Sequence, residues 1–207
     1  MEAGDDARTT KRRLRSNLRK ARRAFSPELQ TRAADALARH AGADPLAQTR
    51  SVVGYLANDG ELDIAPLMDR LRRSGAQILL PRCREDGMLE LIAVEPGSRL
   101  LESGPGGLLE PAGDAVALDK IDLPATLITP AVALDRKGNR LGRGGGSYDR
   151  LIHHLRNHGW QVLGICHADH VVAALPTEPH DAEVDAMLTE RGLVRPEAHA
   201  ASSGRRS

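Results

Sequence analysis

Residues 51–81 read SVVGYLANDGELDIAPLMDRLRRSGAQILLP, and this stretch decides the fold. SVVGYL (51–56) is an unbroken apolar run of strand length, the pattern of a strand buried on both faces. DIAPLMDRLRRSG (63–75) repeats its apolar residues at helical spacing and closes on glycine, which predicts a helix. QILLP (77–81) is a second buried strand. Strand, helix and strand in succession make a β-α-β unit, the building block of a parallel sheet.

The same alternation extends to both sides. Ser26-Pro27-Glu28 is a helix start, with a cap, a proline at the first helical position and an early acid; the pattern Leu29, Ala33, Ala36, Leu37 carries that helix to about His40. MLELIAVE (88–95) alternates as a strand does, and the stretch from there to about Leu123 is rich in Gly, Pro and Asp. TLITPAVALD (126–135) is a buried strand run, SYDRLIHHLRNHG (147–159) a helix, QVLGICHA (161–168) a strand and AEVDAMLTERGLV (182–194) a last strand or edge element. The expected architecture is α/β, a mostly parallel central sheet covered on both faces, in one domain over residues 8–195. Residues 196–207 have the composition of a disordered tail. There is no internal repeat.

Composition narrows the function. A chain of 207 residues can bury a substantial core, yet it holds one Trp, two Tyr and one Phe. So few aromatics argue against a base-stacking surface. No apolar run approaches a membrane span, and the N-terminus lacks the apolar segment of a signal peptide, so the expected location is the cytoplasm. Cys83 and Cys166 have no metal-ligand spacing and read as reduced, buried thiols.

Net charge near zero hides an uneven distribution. Of the 29 lysines and arginines, eight lie within Lys11–Arg23, a stretch with no acid. Leu14, Leu18, Ala21 and Phe25 give this element one narrow apolar stripe, so it reads as a helix docked on the body. Its arginines have three readings: a solvated face, a nucleic-acid patch, or cations aimed inward at phosphates.

The segment Asp135–Arg150, DRKGNRLGRGGGSYDR, holds five glycines and five basic residues. It leaves a buried strand and enters a helix, the place where open α/β sheets bind ligands. Glycines there let backbone N–H groups approach an anion, the helix N-terminus adds positive potential, and Arg140 and Arg143 add charge-assisted bonds. A phosphate fits best; a plain surface turn is the alternative. Neither G-x-x-x-x-G-K-[ST] nor G-x-G-x-x-G is present. Asp149, directly after the loop, suggests magnesium held with substrate phosphates, and Asp181 or Asp185 in PTEPHDAEVD is the second candidate ligand. His180 is a weak acid-base signal.

LITPAVALDRKGNRLGRGGGSYDR resembles the signature of the 5-formyltetrahydrofolate cyclo-ligase family, P-x-x-A-x-D-x-x-G-x-R-L-G-x-G-x-G-Y-Y-D. KRRLR near the start, YLANDGELDIAPL, GAQILLPR, LLEP at 108–111 and LPTEPHDAEVD match in the family's order, covering about residues 11–192. The resemblance implies a three-layer fold like that of sugar-phosphate isomerases and CoA transferases. It also implies ATP- and Mg²⁺-dependent conversion of 5-formyltetrahydrofolate to 5,10-methenyltetrahydrofolate.

Position by position, the resemblance implies ATP contacts at Lys11 and Arg15. The segment Arg140, Leu141, Gly142, Arg143, Gly144, Gly145, Gly146, Ser147 and Tyr148 would wrap the ATP phosphates, with its part from Arg143 to Ser147 bordering the folate. Leu56 and Glu61 would bind the pterin, and Asp149 and Asp181 the metal. Arg140, Arg143 and Tyr148 are the expected catalytic groups. Ser147 stands where the family usually has the first of two tyrosines, and Gly145 where some relatives have lysine. The expected partners are small molecules, with no nucleic acid or membrane, and the chain is expected to be a monomer. Two rival readings stay open from the residues: an enzyme acting on sugar phosphates, such as an isomerase or deaminase, and a non-catalytic phosphate-ligand sensor.

Overall fold

The computed structural model describes residues 3–197. In chain order the elements are α1 (Ala3–Arg23), α2 (Pro27–Ala38), β1 (Ser51–Val53), α3 (Ala65–Arg73), β2 (Gln77–Cys83), β3 (Leu89–Ala93), β4 (Leu100–Gly104), β5 (Leu108–Pro111), β6 (Ala125–Pro130), β7 (Ala133–Asp135), β8 (Arg140–Leu141), α4 (Ser147–Arg156), β9 (Gln161–Ile165), β10 (Val171–Val172), β11 (Ala186–Thr189) and β12 (Gly192–Val194). Seven strands form the main sheet in the order β12-β11-β9-β6-β1-β2-β3. The five inner strands run parallel and the edge strands β12 and β3 antiparallel.

Alternation along the strands sends neighbouring side chains to opposite faces. Val52, Ile78, Leu80 and Ile128 pack with Leu37 of α2 and Leu67 and Leu71 of α3. Val53, Leu79, Leu127 and Val162 pack on the other side with Leu151, Ile152 and Leu155 of α4. The result is the expected three layers, with runs buried on both faces because helices cover both.

Four local expectations are corrected. The run 126–135 is not one strand: β6 ends at Pro130, and β7 enters a separate three-stranded sheet, β10-β7-β8. The buried Asp135 causes the turn that follows. Its Oδ1 accepts the N–H groups of Lys137 and Asn139, and its Oδ2 accepts the Asn139 side-chain amide and the Leu175 N–H. Gly138 sits there at φ 91°, where an added Cβ would meet the Val184 carbonyl at 2.8 Å. The segment 182–194 is two strands forming a hairpin, and the Gly- and Pro-rich stretch after residue 95 contains the β4–β5 hairpin. Ala21 is exposed rather than part of the docked stripe.

Helix α1 is held to the body mainly by charge. Leu14 and Leu18 touch a small cluster of Val132, Ala133, Leu141 and Leu175. The other residues facing the body are Lys11, Arg15, Arg19 and Arg22, of which Lys11 and Arg22 are buried. Residues 198–207, most of the expected tail, lie outside the described residues.

Candidate functional site

One cavity of about 670 Å³ opens at the C-terminal ends of the parallel strands. Helix α1 contributes Lys11 and Arg15, the loop after β1 contributes Leu56 and Glu61, and β2 contributes Cys83. The β4–β5 hairpin forms a further wall through Pro105 and residues 107–110. Gly142–Asp149 and the segment 178–181 complete the lining. Nearly every residue singled out from the sequence is therefore brought to one space.

Leu141 is one exception. It is 1% exposed in β8, its side chain in the cluster beneath α1, and its carbonyl accepts the Val132 N–H. The glycine-rich segment is also divided: Arg136 to Asn139 belong to the turn fixed by Asp135, and only Gly142–Gly146 form the loop over the cavity. Cys83 is half-buried at the cavity wall, not in the core, whereas Cys166 is buried and its thiol is pushed up to about 12.

The loop's shape depends on Arg140. Its side chain is 3% exposed, and Nη2 donates to Asp149 Oδ1 at 2.7 Å. Nη1 lies 3.4 Å from the Pro130 carbonyl, and Nε has no partner. Gly142 passes directly over this guanidinium, close enough that a Cβ would stand 2.4 Å from Nη1. Arg15 Nε donates to the Gly142 carbonyl at 2.8 Å, so the loop is clasped from both sides. Burial lowers the Arg15 pKa, and Asp181, Glu178 and Asp149 oppose that shift. Gly146 then takes a left-handed conformation, φ 70°, and α4 begins at Ser147.

Arg143 is exposed, lines the cavity, and forms no ion pair among the described residues. Tyr148 lies with its ring centroid 5.8 Å from the Arg140 guanidinium carbon, and burial raises its phenol well above its usual range, so it stays protonated at neutral pH.

The acidic side of the cavity is equally organised. Lys11, 3% exposed, donates to Glu178 at 2.8 Å and to Asp181 at 2.5 Å. The Ala182 N–H donates to Asp149 Oδ1 at 3.3 Å, which sets Asp149 and Asp181 on either side of one peptide group. Glu178, His180 and Asp181 each offer one ligand atom within 4.8 Å of the others. Asp185 instead accepts the Val162 N–H beside β9 and is not in the lining. The sequence reading missed Glu178, which looks like any loop acid until Lys11 is brought against it from 167 residues away.

On the wall formed by the loop after β1, Glu61 is 8% exposed and accepts the Asn58 N–H at 3.1 Å. Burial raises its pKa, opposed by the positive charges of Arg143 and Arg22. Leu56 is 36% exposed beside it. Leu56 and Glu61 thus line the same cavity as the glycine loop and its cations, and Arg143 of that loop acts on the Glu61 carboxylate.

Such a cavity, with a glycine loop, several cations and a buried carboxylate lining one space, defines a class of protein, an α/β protein with a pocket suited to a small polar ligand. Comparison with known proteins is specific. The chain belongs to the 5-formyltetrahydrofolate cyclo-ligase family, whose family model matches residues 7–190. It is 34% identical over 178 residues to the 5-formyltetrahydrofolate cyclo-ligase of Escherichia coli (strain K12), covering 83% of this chain and 96% of that one. It is 35% identical over 151 residues to the enzyme of the same name from Mycolicibacterium smegmatis, covering 70% and 76%. The NMR structure of Aquifex aeolicus 5,10-methenyltetrahydrofolate synthetase superposes with a TM-score of 0.74 at 27% identity, covering 90% of this chain and 93% of that one. These relationships favour the cyclo-ligase reading over the sugar-phosphate and ligand-sensor readings. Among the described residues no helix is long and apolar enough to cross a membrane.

Proposed function

We propose that this chain converts 5-formyltetrahydrofolate and ATP into 5,10-methenyltetrahydrofolate, ADP and phosphate, using the cavity for both substrates. The observation that carries the reading is the meeting, in one space of about 670 Å³, of a glycine loop clasped by Arg15 and Arg140 with the buried carboxylate of Glu61. Polyanion and ring would lie end to end, with the γ-phosphoryl group against the formyl oxygen.

The chemistry needs alignment more than covalent machinery. The formyl oxygen attacks the γ-phosphorus, the bond from that phosphorus to the bridging oxygen breaks, and ADP leaves. N10 then attacks the activated carbon and loses its proton, the C–O bond breaks, and phosphate departs with its electron pair. Backbone N–H groups of Gly144–Gly146 and the start of α4 would receive the phosphates. Arg143, exposed and without an ion pair among the described residues, is the cation best able to follow the transferring group. Arg140 serves differently, holding Gly142 and Asp149 in place from beneath. Glu61 would accept from pterin N–H donors, and Tyr148 would present a neutral O–H.

The donors near Lys11 suit magnesium, which prefers carboxylate oxygens and substrate phosphates. Asp149 Oδ2 makes no hydrogen bond among the described residues, and Lys11 Nζ already holds a cationic position between Glu178 and Asp181. Asp149 and Asp181 would hold the ion, which neutralises charge on the phosphates when bound. The test is incubation with 5-formyltetrahydrofolate and Mg·ATP, following methenyl product and ADP together. The proposal expects equal amounts of each, and product formed without ATP, or none, refutes it.

A further inference from the structure

Arg22 is 1% exposed, although it lies in the most basic helix of the chain and touches neither the glycine loop nor the acidic segment. Its Nε donates to the Asp59 carbonyl at 2.7 Å, and its Nη2 lies 3.3 Å from Asp59 Oδ2 and 3.5 Å from Glu61 Oε1. Arg19 donates to the same Asp59 carboxylate at 2.6 Å, and Arg23 also pairs with it. Burial works against the charge on Asp59, yet these arginines bring its pKa down to about 2. Three cations thus converge on one loop acid.

That loop is conformationally unusual. Asp59 holds φ 57° and Gly60 holds φ 72°, so a non-glycine residue occupies left-handed backbone. Such a residue carries a strain of about 1–2 kcal/mol and persists where surrounding contacts over-determine it. A Cβ on Gly60 would stand 3.0 Å from the Arg22 carbonyl, so the loop closes directly on the last turn of α1. The next residue is Glu61, with one oxygen toward Arg22, the other accepting from Asn58, and the carboxylate at the cavity wall.

We propose that Arg22 is a positioning residue for the folate, acting through Glu61: it fixes the Asp59–Gly60 turn and sets a cation behind the carboxylate, so that Glu61 faces the cavity in one orientation. The inference rests on the reading of Glu61 as the pterin contact. An apolar side chain could dock α1 on this loop equally well, but a cation also favours the charged form of the buried carboxylate beside it. The charged and titratable groups around Glu61 are Arg22 from α1, Arg143 from the glycine loop, Asp59 and Tyr55 from its own segment, and Tyr148 from α4. Of the two cations, Arg143 has the larger effect on Glu61 but is exposed and unpaired among the described residues, whereas Arg22 is buried and held by Asp59, so Arg22 supplies the fixed charge.

The test measures binding of 5-formyltetrahydrofolate alone, and of Mg·ATP alone, to Arg22→Met, Arg22→Lys, Glu61→Gln and the Arg22→Met/Glu61→Gln pair. Arg22→Met is expected to weaken folate binding about tenfold or more near neutral pH, with ATP binding changed less than about threefold. Part of that loss returns as pH rises, because removing the Arg22 cation raises the Glu61 pKa further, so the folate-binding profile of the variant lies at higher pH than the parent's. The double variant binds folate as weakly as Glu61→Gln and no more weakly. Arg22→Lys keeps the charge but not the two-way fork, so it binds folate weakly with the parent's pH profile, and it decides the matter where Arg22→Met does not fold. Folate affinity unchanged in Arg22→Lys, or losses that multiply in the double variant, overturn the proposal. A parent protein that binds no folate refutes the functional reading instead.

Discussion

Replacing Asp149 by asparagine tests the site where its chemistry and its architecture meet. Asp149 is the only acid paired with Arg140 among the described residues, and the two side chains are 16% and 3% exposed. With Nε already unpartnered, the guanidinium depends on the 2.7 Å bond to Asp149 Oδ1. Removing one partner of a buried ion pair costs about 3–5 kcal/mol. The asparagine oxygen still accepts one hydrogen bond, worth about 1 kcal/mol, which leaves about 2–4 kcal/mol. For a chain of this size each kcal/mol moves Tm by about 2–4 °C, so Asp149→Asn should melt roughly 4–16 °C below the parent by calorimetry without ligands. Turnover should fall with it, and the magnesium concentration needed for half-maximal activity should rise. Arg140→Met in the same chain should recover part of the lost stability, because the stranded charge is then gone. A Tm within about 1 °C of the parent, or unchanged magnesium dependence, would refute the reasoning.

Other outcomes follow from single contacts. Gly142→Ala places a Cβ 2.4 Å from a guanidinium that Asp149 holds still, so ATP affinity should drop about tenfold or more, read by titration. Glu61→Gln should raise the KM for folate about tenfold or more with little effect on that for ATP, and Arg15→Ala should show the opposite bias; equal effects on both substrates would contradict separate contacts for the two. His167 and His170 have pKa values lowered by burial, so the folded state binds fewer protons than the unfolded one below about pH 6.5. Stability should therefore be complete above that pH and decline below it, by up to about 1.4 kcal/mol per histidine per pH unit. The His167→Gln/His170→Gln variant should flatten the decline in Tm measured from pH 7.5 to 5.

The three layers were legible because runs such as SVVGYL and QILLP are apolar without interruption, and only a strand between two helical layers needs that. Where the reading failed, the deciding contact was distant. TLITPAVALD looked continuous because the chain changes sheets between Ala131, whose N–H donates to the Ile165 carbonyl, and Val132, whose N–H donates to the Leu141 carbonyl, without a local break in its apolar residues. Helical periodicity assigned the docked face of α1 to its few apolar residues, but the partners of Lys11 and Arg22 are the acids of the segment 178–181 and the loop 59–61, and these make a basic face the inner one. Leu141 was carried along by a motif whose neighbours line the cavity, while strand alternation turns its own side chain into the core. The wall formed by the β4–β5 hairpin left no signal beyond its glycines and prolines, since exposed Leu100, Leu101 and Leu109 interrupt any clean alternation.

The central claim is that the cavity sets the γ-phosphoryl group of ATP against the formyl oxygen of the folate. Turnover of 5-formyltetrahydrofolate carrying ¹⁸O in the formyl group, followed by mass analysis of the released phosphate, tests it most directly. One ¹⁸O atom is expected in each phosphate formed, in step with methenyl product. Unlabelled phosphate, with the ¹⁸O recovered in water, would contradict it.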